Sequence, residues 1–222
     1  MKRFVLTGSE LAGCTSLGVD DHVTLIFPDG AGGQALRDFT PRRFDATSAE
    51  LWIDFFLHEA GPASDWARQA QPGATLEVGG PRGSAIIAAD GIDCHLLIGD
   101  ETALPAIERR LEELEAGTRA IVLLDIEAGA ERPRLKSNAA LDVSYVSRER
   151  GAEGASALIA ALSELQLPSQ RCFAWVAHET QTARAVRAHV HQERGFDKKW
   201  IKAAGYWRRG AIGAHENIGD NE

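Results

Sequence analysis

The alternation of apolar and polar positions changes character near residue 90. Before that point the apolar runs are short and punctuated by glycine and proline. Val23-Thr24-Leu25-Ile26-Phe27 stops at Pro28-Asp29-Gly30, and Thr75-Leu76-Glu77-Val78 stops at Gly79-Gly80-Pro81. Between them, Leu51 to Leu57 is rich in aromatic and β-branched residues, and Phe4 to Thr7 reads as a further strand near the start. Short strands separated by such turns predict a small antiparallel β-barrel. Ser64 to Ala70 reads as a short helix with Ser64 as its cap.

After Gly91 the apolar runs become continuous and alternate with helical spacing. Cys94–Ile98, Ile121–Leu124, Val143–Val146 and Phe173–Ala177 read as buried strands. Leu104, Ile107, Leu111 and Leu114 recur on one helix face. Leu158, Ala161, Leu162 and Leu165 do so on a second, within Ala155–Leu165. Ala183, Val186 and Val190 do so on a third, within Glu179–Arg194, which Gly195 terminates. Apolar strands alternating with amphipathic helices predict a parallel sheet covered on both faces. Asp125 to Asn138 reads as a charged loop. The expected architecture is β + α/β: an antiparallel β-barrel over residues 1–89, then an open parallel α/β domain over 90–222 with a basic, aromatic tail.

Composition narrows the class. The 222 residues are 44% hydrophobic and 25% charged, an ordinary globular balance. No apolar stretch approaches the ~18 residues that span a bilayer, so no membrane partner is expected. The net charge of −8 argues against nucleic acid as a partner. Cys14, Cys94 and Cys172 are far apart and lack metal-ligand spacing, so buried thiols, a reducing cytoplasm and no metal site are expected. Against the acidic average, Lys198, Lys199, Lys202, Arg208 and Arg209 crowd the end of the chain. They read either as a solvated face or as an anion-receiving rim.

The candidate chemistry lies in two stretches. Arg37-Asp38-Phe39-Thr40 puts a cation, an aromatic two residues on, and a hydroxyl on one predicted strand. An arginine fork pairs with pyrophosphate, the aromatic can lie along an isoalloxazine, and the hydroxyl can reach the ring edge near N5. His58 is followed by Gly61-Pro62-Ala63-Ser64, a turn able to present backbone N–H groups to a second phosphate. These are the needs of a flavin, whose protein supplies orientation and electrostatics. Each residue also has a plainer role: Arg37 as a surface charge, Thr40 as an edge residue, His58 as a structural histidine, Gly61 as a turn former. Trp66 reads better as a plug for the barrel than as a cofactor contact. Gly99-Asp100-Glu101-Thr102 follows the first parallel strand, the usual ligand position in an open α/β sheet. It is no Gly-x-Gly-x-x-Gly fingerprint. Asp100 and Glu101 suit loop organisation, and Thr102 suits a helix cap.

Together these blocks resemble the siderophore-interacting protein family of ferredoxin-reductase-like flavoproteins. The resemblance rests on Arg37-Asp38-Phe39-Thr40-Pro41-Arg42, His58 with Gly61-Pro62-Ala63-Ser64-Asp65-Trp66, Gly80-Pro81-Arg82-Gly83-Ser84, Gly99 to Ile107, and Gly205-Tyr206-Trp207-Arg208. It implies a ferric-siderophore reductase using FAD and NADPH or NADH. Hydride would pass from the nucleotide to the flavin, and single electrons from there to Fe(III), with no protein ligand to iron. In the resemblance Arg37, Phe39, Thr40, His58, Gly61 and Ser64 face FAD, with Thr40 the residue nearest the chemistry. Gly99, Asp100 and Thr102 lie where the nicotinamide nucleotide approaches. Tyr206 and Trp207 cover a flavin face, and Lys198, Lys199 and Arg208 receive an anionic ferric siderophore. Two departures stand out: Phe39 replaces a usual tyrosine, and His178 replaces a usual glycine. The early start of the chain is a third. Two other readings stay open: a flavin reductase with another acceptor such as a quinone, free flavin or other metal complex, and a flavoprotein binding module that has lost the nucleotide step. The reductant, the siderophore and the oligomeric state stay open as well.

Overall fold

The structure, a computed structural model, describes residues 1–58, 60–81, 84, 91–149, 154–167 and 171–219. Backbone contacts divide the chain into two compact units, Met1–Ala88 and Ala89–Glu222. The expected boundary at Ala89 and Asp90, and Arg82-Gly83 of the Gly80–Ser84 block, lie outside the described residues.

The first unit is built from β1 (Lys2–Thr7), β2 (Val23–Pro28), β3 (Gln34–Phe39), β4 (Pro41–Asp45), β5 (Glu50–Phe55), α1 (Pro62–Gln69) and β6 (Glu77–Gly79). The strands form two antiparallel three-stranded sheets, β1-β5-β4 and β3-β2-β6. β1 pairs along its whole length with β5. Alternation turns Val23, Leu25 and Phe27 of β2 and Leu51, Ile53 and Phe55 of β5 into one core. Trp66 of α1 stacks on Phe55 with centroids 5.8 Å apart and meets Phe4 at 5.1 Å, so it packs half-buried against this core.

The second unit contains β7 (Cys94–Gly99), α2 (Leu104–Glu113), β8 (Arg119–Glu127), β9 (Ala140–Arg148), α3 (Ser156–Glu164), β10 (Cys172–Glu179), α4 (Thr180–Gln192), β11 (Ile201–Trp207) and β12 (Glu216–Ile218). The sheet order is β12-β11-β10-β7-β8-β9, all parallel except β12. Every residue of β7 and β10 is buried, which explains their unbroken apolar pattern. Leu96 and Ile98 join Leu158, Leu162, Val186 and Val190 of α3 and α4 in one core. Three readings are corrected. The segment expected as a loop from Asp125 begins inside β8, β9 extends well beyond Val143–Val146, and the tail expected after α4 contains β11 and β12.

Gly99 makes the sheet–helix approach possible. A Cβ there would lie 2.4 Å from the Ala103 Cβ and 2.9 Å from the Ala177 carbonyl oxygen. Gly99→Ala is therefore expected to cost about 1–3 kcal/mol through overpacking. Thermal melting should show a drop of several degrees; an unchanged midpoint would remove this role.

His95, on β7, is 2% exposed, and its Nδ1 has no hydrogen-bond partner among the described residues. Burial, with the nearby Arg110 guanidinium adding to it, pushes its pKa down to about 4 from 6.5. Between these values the unfolded chain binds the extra proton, so stability rises with pH from about 4 to 6.5 and is lost on acidification through that window. The contribution is about 3 kcal/mol. His95→Phe, which keeps a ring without the proton, should flatten this part of the urea-midpoint against pH curve relative to the parent. Parallel curves would show that His95 does not titrate this way.

Candidate functional site

In the first unit, β3 carries the key stretch. Its pleat puts Arg37 and Phe39 on one face and Leu36 and Asp38 on the other, and the register sets Arg37 opposite Leu25 and Phe39 opposite Val23. Arg37 is half-buried, and its only hydrogen bond among the described residues goes from Nη1 to the neighbouring Leu36 carbonyl at 2.7 Å. Its guanidinium is thus held without a carboxylate partner among the described residues. The Phe39 ring leans on Phe55 with centroids 4.4 Å apart and stays half-buried. Thr40 is 9% exposed at the crossing into β4, where Arg42 is also buried.

The second phosphate turn differs from expectation at its cap. Helix α1 starts at Pro62, and its N-cap is Gly61, not Ser64. Gly61 adopts φ 131°, a conformation that favours glycine, and no atom lies within 4 Å of where a Cβ would stand. Ser64, 4% exposed, sits inside the helix and accepts the His58 backbone N–H on its hydroxyl at 3.0 Å. Ser64 therefore shapes the turn from within instead of offering its hydroxyl outward. The His58 ring is exposed, edge-on to Phe56 at 5.1 Å, and its carbonyl accepts from Arg68. The Gly80–Ser84 block is tied down at its end: the Ser84 hydroxyl donates to Asp21 at 2.6 Å and accepts the Leu17 amide.

In the second unit the chemistry gathers at the carboxyl ends of the parallel strands. The Asp100 carboxylate accepts from the Thr102 amide and hydroxyl at 2.9 and 2.5 Å and from Trp207 Nε1 at 2.7 Å. Thr102 thereby closes a turn on Asp100, and Ala103 is the N-cap of α2, correcting the expected threonine cap. Gly99 and Asp100 are enclosed, so they shape this edge from behind; among the three expected nucleotide contacts, Thr102 alone is half-buried. Glu101 accepts the Glu127 amide at 2.6 Å and Arg148 Nη2 at 2.8 Å, the loop-organising role expected of it.

His178 lies 2% exposed at the centre of this edge. Its Nε2 is 3.0 Å from Asp125 Oδ2, its Nδ1 accepts the Glu179 amide at 2.7 Å, and Asp100 Oδ2 is 3.5 Å from Nδ1. Burial alone would depress its pKa. The Asp100 charge and the Asp125 hydrogen bond and charge outweigh burial and the opposing Arg148, so the pKa is raised. For Arg148, burial is outweighed by the Glu101 hydrogen bond and the Asp125 charge, and the guanidinium is held still more firmly protonated. Glu179 caps α4 by accepting the Gln181 and Thr182 amides at 2.7 and 3.1 Å, so this helix end carries its own anion. Beside these groups is a recess of about 180 Å³ lined by Asp125, Arg148, His178, Gln181, Trp207 and Arg209, among others. Asp125 Oδ1 is buried there with no partner among the described residues.

The expected anion rim separates. Lys198 and Lys199 precede β11, whereas Arg208 follows it. At ~3.3 Å per residue the seven-residue strand carries them to opposite ends, roughly 20 Å apart. Lys199 also pairs with Asp197 at 3.2 Å. Tyr206 packs edge-on against Trp175, centroids 6.0 Å apart, and Trp207 is latched to Asp100. The sequence reading missed Asp125, Arg148 and Glu179. Their signal was position: Asp125, Arg148 and Glu179 all lie at or near the carboxyl ends of strands.

Comparison with known proteins gives this geometry a family. The profile described as "Siderophore-interacting protein" matches residues 92–210, and that described as "Siderophore-interacting FAD-binding domain" matches residues 32–85. The chain belongs to the siderophore-interacting protein family. It is 32% identical over 228 residues to the NADPH-dependent ferric-chelate reductase of Escherichia coli, covering 93% of this chain and 86% of that one. It is 28% identical to the ferric vibriobactin reductase of Vibrio cholerae, covering 94% and 84%. Among solved structures, a siderophore utilization protein from T. fusca superposes with a TM-score of 0.83 at 34% identity, covering 96% of this chain and 88% of that one. A ferredoxin reductase from a carbazole 1,9a-dioxygenase shares the fold alone, with a TM-score of 0.67 at 14% identity over 90% of this chain and 62% of that one. The siderophore-interacting FAD-binding domain thus covers Arg37, Phe39, Thr40, His58, Gly61 and Ser64. Their arrangement fits the cofactor: a guanidinium without a carboxylate partner and a glycine turn with open space beside it. No helix of the described residues is long and apolar enough to cross a membrane.

Proposed function

We propose that this chain is an FAD-dependent reductase that moves electrons from NADPH or NADH to Fe(III) held in a siderophore, in the cytoplasm, and so releases Fe(II). The observation that carries the reading is the Arg37 guanidinium, partnered by no carboxylate among the described residues and on the same strand face as Phe39, within the stretch matched by the FAD-binding domain. The reductase activities for which the Escherichia coli and Vibrio cholerae relatives are named support the same direction.

Bound FAD supplies the chemistry that couples a two-electron hydride donor to a one-electron metal acceptor. Arg37 binds one phosphate of its pyrophosphate through the two-pronged fork, and the Gly61 turn offers the first-turn amides of α1 to the other. Phe39 lies along the ring system; lacking a hydroxyl, it contributes stacking without a phenolic hydrogen bond. Thr40 donates or accepts at the ring edge near N5. The recess beside Asp125 and Trp207 receives the nicotinamide nucleotide, with Arg148, Gln181 and Arg209 as hydrogen-bond donors on its lining. Arg208 attracts an anionic ferric complex; Lys198 and Lys199, at the far end of β11, are left to long-range attraction. Iron is substrate and needs no protein ligand, because Fe(II) is held less tightly than Fe(III) by the same oxygen donors.

The test is a steady-state assay of FAD-loaded protein with each nicotinamide nucleotide and a ferric siderophore, with a ferrous-specific chelator as trap. Trapped Fe(II) is expected only when nucleotide, flavin and ferric siderophore are all present. Nucleotide oxidation with a quinone or free flavin, and none of it yielding Fe(II), would instead make the chain a flavin reductase with another acceptor.

A further inference from the structure

The buried cluster around His178 carries more charge than a structural role needs. Four carboxylates, those of Asp100, Glu101, Asp125 and Glu179, meet at the carboxyl edge of the sheet, each no more than 7% exposed. The guanidinium of Arg148 reaches two of them, Glu101 and Asp125. His178, from β10, faces Asp100 after β7, Asp125 of β8, Arg148 of β9 and, on its own chain, Glu179. At the end of β11, Trp207 is bound to Asp100, and the Arg209 amide reaches the Glu179 carboxylate at 3.4 Å.

The ring has two satisfied arrangements. In the neutral one, Nε2–H donates to Asp125 while Nδ1 accepts the Glu179 amide, as the distances of 3.0 and 2.7 Å require. In the protonated one, Nδ1 also carries hydrogen, cannot accept from that amide, and has Asp100 Oδ2 3.5 Å away as its partner. Asp100 Oδ2 is the atom that holds Trp207. The proton on Nδ1 therefore changes the charge of the recess and bears on the indole that lines it.

We propose that His178 is a proton-linked positioning residue for the nicotinamide nucleotide: its Nδ1 takes up a proton as the anionic dinucleotide enters the recess lined by Asp125, Arg148, Trp207 and Arg209. This rests on the reading that the recess receives the reductant. Its physical basis is the surplus of carboxylate over guanidinium, which opposes a polyanion, and an added charge on the imidazole lowers that opposition. By linkage, a nucleotide that prefers the protonated form must raise the affinity of His178 for its proton by the same factor.

The experiment uses the FAD-loaded chain and NADP⁺, which binds without transferring hydride, between about pH 7.5 and 9, well above the second ionisation of the 2′-phosphate at pH ~6. Calorimetry in buffers of different ionisation enthalpy reads proton uptake directly. The parent should take up a fraction of a proton approaching one, and its Kd should weaken by up to about tenfold per pH unit above the pKa of His178. Nitrogen NMR of the imidazole should show Nδ1 gaining hydrogen on nucleotide addition. His178→Gln, which keeps a hydrogen-bonding side chain without titration, should bind with a pH-independent Kd and no uptake. Binding by the parent with no proton uptake, or equal uptake by His178→Gln, would overturn the proposal while leaving the reductant site intact. Failure to bind NADP⁺ or NAD⁺ at any pH would overturn the reductant reading and the proposal with it.

Discussion

Asp125→Ala is expected to destabilise the second unit by about 3 kcal/mol or more. The carboxylate accepts from both His178 Nε2 and Arg148 Nη1, at 3.0 and 3.1 Å, while it is itself only 6% exposed. Removing one partner of a buried ionic set leaves the others uncompensated, and such losses run to ~3–5 kcal/mol. Arg148 would keep Glu101, and His178 would keep the Glu179 amide with Asp100 3.5 Å away, so the lower end of that range applies. For a chain of this length each kcal/mol moves the melting midpoint by ~2–4 °C. A fall of roughly 6–12 °C is the expected reading, with Asp125→Asn intermediate because it keeps the shape and one acceptor. A shift under about 2 °C would mean that the network is not coupled through Asp125.

Arg37→Ala should leave folding nearly untouched and cut FAD affinity sharply. The side chain is half-buried and bonds only to the adjacent Leu36 carbonyl, so its loss strands no buried partner among the described residues. Surface changes of that kind fall within ~0.5 kcal/mol. The charge-assisted bonds to phosphate that it would make are worth ~1.5–3 kcal/mol. That converts to a Kd for FAD about 10- to 100-fold weaker. Arg37→Lys should lie between, because an ammonium restores the charge but not the fork. Quenching of flavin fluorescence on titrating apoprotein measures this, with melting of the apoprotein as the control. Equal FAD affinity in parent and Arg37→Ala would dissociate this residue from the pyrophosphate.

The local structure of the stretch proposed to hold the flavin was legible because its residues are close in sequence. Arg37 and Phe39 share one strand with Thr40 just past its end, and the two-residue spacing alone puts the first two on one face. Gly61 and Ser64 were legible as a turn, but not in their parts: the helix begins at the proline, and the serine hydroxyl is spent inward on the His58 amide. The network at Asp125, Arg148 and His178 was not legible, because the parallel register running through β10, β7, β8 and β9 brings together residues more than twenty positions apart. β11 escaped notice for a different reason. Lys202-Ala203-Ala204-Gly205 has little intrinsic strand preference. It is a strand because β10 and β12 flank it, and because Gly205 admits Thr180, whose Oγ1 would lie 2.4 Å from a Cβ. That strand then divides the basic residues that the sequence seemed to group.

The most direct test of the whole account is an anaerobic titration of the FAD-loaded chain. NADPH or NADH should bleach the flavin absorbance, and a ferric siderophore added afterwards should restore it with two Fe(II) trapped per flavin reoxidised. A purified chain that takes up no FAD, or a bleached flavin that ferric siderophore leaves bleached, would contradict the account.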